Sequence, residues 1–132
     1  MLQRQIDLKR AVGVQICQRL RAEIDKIGFD EHEELSYPYF DTASFVLTKD
    51  PYTGDINLTG YWYNERSKTR IEKIGRLQFN SDGSFYAEFD VVKNHPKKSN
   101  WFVEAVTAWG NEEIIKSEAR LLPINYESTA RL

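Results

Sequence analysis

Glu88, Asp90, Glu104 and Glu118 are the residues that come closest to an acid–base set in this chain. That chemistry requires one carboxyl held in a cleft with its pKa moved away from its neighbour's, so that one group donates while the other accepts. No spacing here imposes such a split. Carboxylates alternating along a half-exposed strand are ordinary surface charge. The chain has two histidines. His32 stands among glutamates, and His95 precedes Pro96, Lys97 and Lys98. With no cysteine pair and no His-x-x-His spacing, a zinc site has no ligand set. Ser99, Ser117 and Ser128 lack the glycine-flanked elbow of a serine nucleophile. Neither a G-x-G-x-x-G nor a P-loop is present, so those routes to nucleotide binding are excluded. Cys17 lies in a helical pattern far from either histidine and reads as a small buried hydrophobe. No catalytic residue, cofactor site or metal site is assigned, and the reading leans away from an enzyme.

Aromatic side chains carry the stronger signal. Tyr61-Trp62-Tyr63 falls in an alternating segment, Asp55–Asn64. On a strand, Trp62 joins Ile56, Leu58 and Gly60 on one face, while Tyr61 and Tyr63 join Asn57 and Thr59 on the other. Extending that parity gives a candidate interaction surface of Tyr61, Tyr63, Arg76, Tyr86, Trp101 and Trp109. Gln78, Glu88, Asp90, Val103, Lys116, Glu118 and Arg120 are expected on the same face. Tyrosine, tryptophan and arginine dominate binding energy at protein interfaces. The plain alternative is a solvated sheet face, with cross-strand pairs such as Arg76 and Glu88 contributing about 0.2–1 kcal/mol each.

Several elements must hold these residues. Residues 3–27 read as a helix, with Ile6, Gly13, Ile16, Leu20, Ile24 and Ile27 forming one stripe, broadened by Val12 and Val14. Arg4, Lys9, Arg19, Glu23 and Lys26 are expected on other faces. Gly28 suits the left-handed C′ position, no capping box is visible at the start, and Asp7 serves as N-cap only if the first residues fray. Residues 30–42 form an acidic, aromatic connection, with Glu33, Glu34, Tyr37, Tyr39 and Phe40 as a candidate lid or strap. Packing of its aromatics over the helix end is the simpler expectation.

Beyond Thr42 the pattern is that of an antiparallel meander. Ala43–Lys49 and Asp55–Asn64 flank the turn Asp50-Pro51-Tyr52-Thr53-Gly54. After a polar connection at Glu65–Thr69, Arg70–Asn80 and Ser84–Val92 form a hairpin through Ser81-Asp82-Gly83. Trp101–Trp109 and Glu112–Leu122 form the last hairpin through Gly110-Asn111, a type II′ sequence, with Phe102, Val106 and Ala108 turned to the core. The expected fold is α+β: an N-terminal helix on a curved antiparallel sheet of five or six strands, or a partly closed barrel with a helix. Residues 1–122 are expected to form one domain and residues 123–132 a frayed tail.

Composition narrows the partners. With 132 residues and a net charge of −2, the chain is not a general polyanion binder. Between residues 66 and 76, Arg66, Lys68, Arg70, Lys73 and Arg76 face only Glu72, and Lys93, Lys97 and Lys98 add a basic loop. Those groups with aromatics on a sheet permit weak single-stranded nucleic-acid binding, ranked third because no RNP-like motif is present. They also permit pairing with the acidic 30–41 segment of a neighbouring copy. One cysteine permits no intrachain disulfide, which favours a reducing, cytoplasmic setting. No apolar run reaches the roughly 18 residues of a membrane span. The leading expectation is a non-enzymatic module that binds a protein or itself. A small-ligand carrier or small enzyme, with its pocket between helix and sheet, comes second.

Overall fold

The computed structural model describes residues 1–67 and 70–124, with side chains described outside 65–70. One helix, α1 (Leu2–Ile27), packs on a six-stranded antiparallel sheet. The strands follow in simple meander order: β1 (Ser44–Lys49), β2 (Ile56–Ser67), β3 (Arg70–Phe79), β4 (Ser84–Asn94), β5 (Trp101–Asn111) and β6 (Ile115–Pro123). The sheet is open, since β1 and β6 do not pair with each other. Both nevertheless touch α1, so the sheet curves about the helix.

The helix ends where Gly28 takes φ 83° and ψ 40°, a left-handed conformation that a side chain would strain. Its start agrees with the expected helix over 3–27 to within one residue. It begins at Leu2, and Asp7 stands inside it, accepting a bond from Gln3. Ile16, Cys17, Leu20, Ile24 and Ile27 are buried on the sheet together with Leu58, Trp62, Leu77, Phe89 and Val106. Burying each large aliphatic side chain contributes about 1.5–3 kcal/mol, which outweighs the helix's weak start. Val14 does not broaden the stripe and is 38% exposed. Glu23, expected on a polar face, is buried instead. Its carboxylate accepts from the Ser117 hydroxyl of β6 (3.0 Å) and from Lys26 (3.1 Å), which satisfies a charge that burial would otherwise penalise.

Register shifts alter two of the expected faces. Val103 lies opposite Leu121 and Ala105 opposite Arg120, leaving Glu104 as an extra residue in β5. A one-residue bulge exchanges the faces on either side of it. Val103 therefore belongs to the core beside the helix, and Trp101 shares its side, whereas Phe102 turns to the other face. The last turn is also displaced: Asn111 N–H bonds Ile114 C=O (3.0 Å), and the loop runs through Glu112 and Glu113. The Asn111 side chain accepts from both Glu113 and Ile114, an Asx arrangement that outcompetes the two-residue turn. The expected connection at Glu65–Thr69 is shorter where described, because β2 continues to Ser67. Residues 125–132, which include Ser128 and most of the expected tail, lie outside the described residues, as do the side chains of Arg66, Lys68 and Arg70.

Candidate functional site

The face of the sheet turned away from α1 is assembled by register. One cross-strand row runs Val46, Thr59, Gln78, Tyr86, Trp109, Lys116. The next runs Ser44, Tyr61, Arg76, Glu88, Thr107, Glu118. Tyr63 follows opposite Lys73, and Asp90 opposite Ala105 and Arg120. The structure thus brings together Tyr61, Tyr63, Arg76, Tyr86 and Trp109 of the expected surface. Trp101 is placed on the helix side of the sheet and leaves the group.

Cations order the rings. Tyr61 and Tyr63 lie 6.4 Å apart between ring centroids. The Lys73 ammonium sits 4.1 Å from the Tyr61 centroid, and the Arg76 guanidinium 5.4 Å from that of Tyr86. Lys73 reaches this face because Ile74 is an extra residue, with Gly75 opposite Trp62 but Lys73 opposite Tyr63. Simple alternation would have sent it to the helix side. Such contacts contribute about 0.5–1 kcal/mol when exposed and hold the amphipathic rings in fixed poses.

A trough crosses the middle of the face. Ala105 and Thr107 are small and buried, lying between long side chains on β4 and β6. Arg120 spans it, pairing with Glu88 and, through Nε at 3.1 Å, with Glu104. Asp90 stands beside this clamp without sharing it, and burial, then the charges of Glu104 and Glu72, push its carboxyl above the usual range. Of the four carboxylates weighed for acid–base work, Glu88 and Glu104 share the single charge of Arg120, Asp90 lies beside them, and Glu118 is exposed at the far end of the Glu88 row, two strands away. Among the described residues no group of histidine, cysteine, aspartate and glutamate is placed to hold a metal ion. His95 has a structural part, its Nδ1 accepting the Lys97 and Lys98 N–H groups at 3.1 and 3.0 Å. Burial, then the two lysine charges, hold its pKa below the usual value.

The strap divides in two. Its second half is fixed: Pro38 and Phe40 are buried, Trp62 Nε1 donates to Tyr39 C=O at 2.9 Å, and Arg21 donates to Pro38 C=O at 2.7 Å. The Phe40 ring fills the space a side chain at Gly13 would need, within 2.3 Å of a Cβ there. Tyr37 packs on the core and donates to Asp25, while Tyr39 stays exposed beneath Arg21. The first half is held more lightly, by Leu35 against the core and by Lys93 3.5 Å from Glu33. Glu34, Leu35 and Ser36 wall a cavity of about 250 Å³ with Ile24, Glu72, Ile74 and Val91–Lys93. A second cavity, of about 280 Å³, lies between Gln5 and Lys9 of α1 and Ile56, Leu58 and Phe79 of the sheet, and the interface between them is an apolar core.

The basic loop folds back on its own chain, Lys93 onto Glu33 and Lys97 over Gly28 at the negative end of the helix. No helix among the described residues is long and apolar enough to cross a membrane. No family model, curated protein or solved structure matches the chain.

Proposed function

We propose that this chain is a non-enzymatic binding module that receives a protein partner on the open face of its sheet. One observation carries the reading. Tyr61, Tyr63, Tyr86 and Trp109 share a face that the helix does not cover, and two of those rings are already held under cations. Rings ordered before binding lose little further freedom on contact, which favours affinity. The trough bridged by Arg120 adds a charged centre of the kind interfaces use for register. The single buried cysteine suits a reducing compartment, and on that ground we place the module in the cytoplasm.

Changing Tyr61, Tyr63 and Trp109 together to alanine should weaken retention of the partner at least about tenfold, with the circular dichroism spectrum unchanged, because hot-spot rings each cost about 1 kcal/mol or more when truncated. Equal recovery of the partner by the folded variant rejects this face. A small-ligand pocket is the second reading, supported by the cavity of about 250 Å³ behind Glu34–Ser36. It ranks lower because pockets for drug-sized ligands begin at roughly 300 Å³. NMR shifts confined to residues 34–36 and 91–93 on titrating small polar solutes would reverse the order.

A further inference from the structure

The two edges of the sheet are unlike. On β6, Lys116, Glu118 and Arg120 line the outer face, Pro123 ends the strand, and the bulge at Glu104 interrupts pairing with β5. Charges, proline and bulges are the devices that keep sheet edges from pairing with other chains. On β1, charge and proline come only at the end, at Lys49 and at Pro51 beyond it; Ser44 to Thr48 carry neither, and the register with β2 runs without a bulge from Ser44 opposite Tyr61 to Lys49 opposite Ile56.

Hydrogen-bond parity identifies the spare groups of β1. Asp50 N–H bonds Asp55 C=O at 2.8 Å, directly beyond the pair Lys49 and Ile56. Antiparallel pairs alternate between bonded and non-bonded, so Ser44, Val46 and Thr48 bond to β2. The N–H and C=O groups of Phe45, Leu47 and Lys49 consequently point out of the sheet. Apolar exposure gathers along the same margin: Val46 is 44% exposed, Ile56 48% and Tyr52 96%.

We propose that β1 pairs antiparallel with β1 of a second copy of this chain, about a two-fold axis at Leu47. The spare groups at Phe45, Leu47 and Lys49 are symmetric about Leu47, so the strand complements itself. Leu47 meets Leu47, Phe45 meets Lys49 and Val46 meets Thr48, which forms about six backbone hydrogen bonds. No like charges meet, because Lys49 lies opposite Phe45 and Asp50 opposite Ser44. Because the β6 edge is guarded, pairing stops at two copies instead of propagating into a fibre. This surface is distinct from the aromatic face, and the pairing stands whether or not that face takes a partner.

Sedimentation equilibrium of the full chain, from low micromolar to millimolar concentration, should show the mass rising towards twice 15.4 kDa. Over the same range hydrogen exchange should slow at the amides of Phe45, Leu47 and Lys49, while those of Ser44, Val46 and Thr48 are slow throughout. Val46→Lys, on the outer face and outside the core, should raise the dimer dissociation constant about tenfold or more by bringing two charges near the axis. A mass that stays at one chain overturns the proposal. So does a dimer whose amides at residues 45, 47 and 49 stay unprotected, or protection there that needs a different protein. The exchange data on the unaltered chain decide the matter even if Val46→Lys fails to fold.

Discussion

On the helix side of the sheet, Trp62, Leu77, Phe89 and Val106 meet Ile16, Leu20 and Ile24 with no charge among them. On the other side, adjacent positions along the same strands carry Tyr61, Arg76, Glu88 and Thr107. The first set removes apolar area from water and fixes the fold. The second keeps its charges wet, spends them on rings and on one another, and leaves the rings accessible. The buried face and the open face are therefore separated by a single residue step, and Tyr61-Trp62-Tyr63 straddles the divide.

That separation can be broken most severely at Trp62. Trp62→Ala should cost about 3–5 kcal/mol in urea unfolding, because it empties a site 2% exposed and leaves the Tyr39 carbonyl without its donor. Tyr63→Ala, one residue on, should stay within about 0.5 kcal/mol. If the two variants lose similar stability, the two faces are not distinct in this sense.

A smaller effect is expected where strap meets helix. Gly13→Ala improves helix propensity by about 1 kcal/mol but drives a methyl into Phe40, and overpacking of that kind costs about 1–3 kcal/mol. Net destabilisation near 1 kcal/mol is expected, whereas a gain would show that the strap yields freely.

The smallest effect belongs to Asp90. Its carboxyl pKa is raised in the fold by burial and by Glu104 and Glu72, so the folded state holds a proton that the unfolded chain has already released. Asp90 therefore lowers stability as pH rises from the unfolded pKa through the folded one. Asp90→Asn should raise the melting temperature slightly at neutral pH, by the equivalent of about 0.5 kcal/mol or less, since the group keeps access to water. That gain should vanish once the pH falls below the ordinary aspartate range. An advantage that persists in acid would point to a packing effect instead.

Much of the fold was legible because local signals agreed with one another. The stripe from Ile16 to Ile27, the glycine stop at Gly28, and the turns at residues 50–54 and 81–83 each specify the same layered arrangement. Parity located most of the open face. It failed at Trp101, Val103 and Phe102 because Glu104 bulges, and a bulge has no residue-type signature in an alternating run. Lys73 was obscured for the same reason by Ile74. The Arg120 clamp needed more than parity, since it depends on the register of three strands and on two small residues between the partners. Glu23 reads as surface charge until Ser117 is known to lie against it.

Cys17 is 1% exposed under the helix, and burial pushes its thiol up to about 12. A thiol reagent at neutral pH finds almost no thiolate there while the helix is seated, whereas the same residue in an open chain reacts at the ordinary cysteine rate. The fold thus contains its own clock. The rate at which Cys17 is labelled counts how often α1 lifts from the sheet, and its response to denaturant separates local lifting from global unfolding.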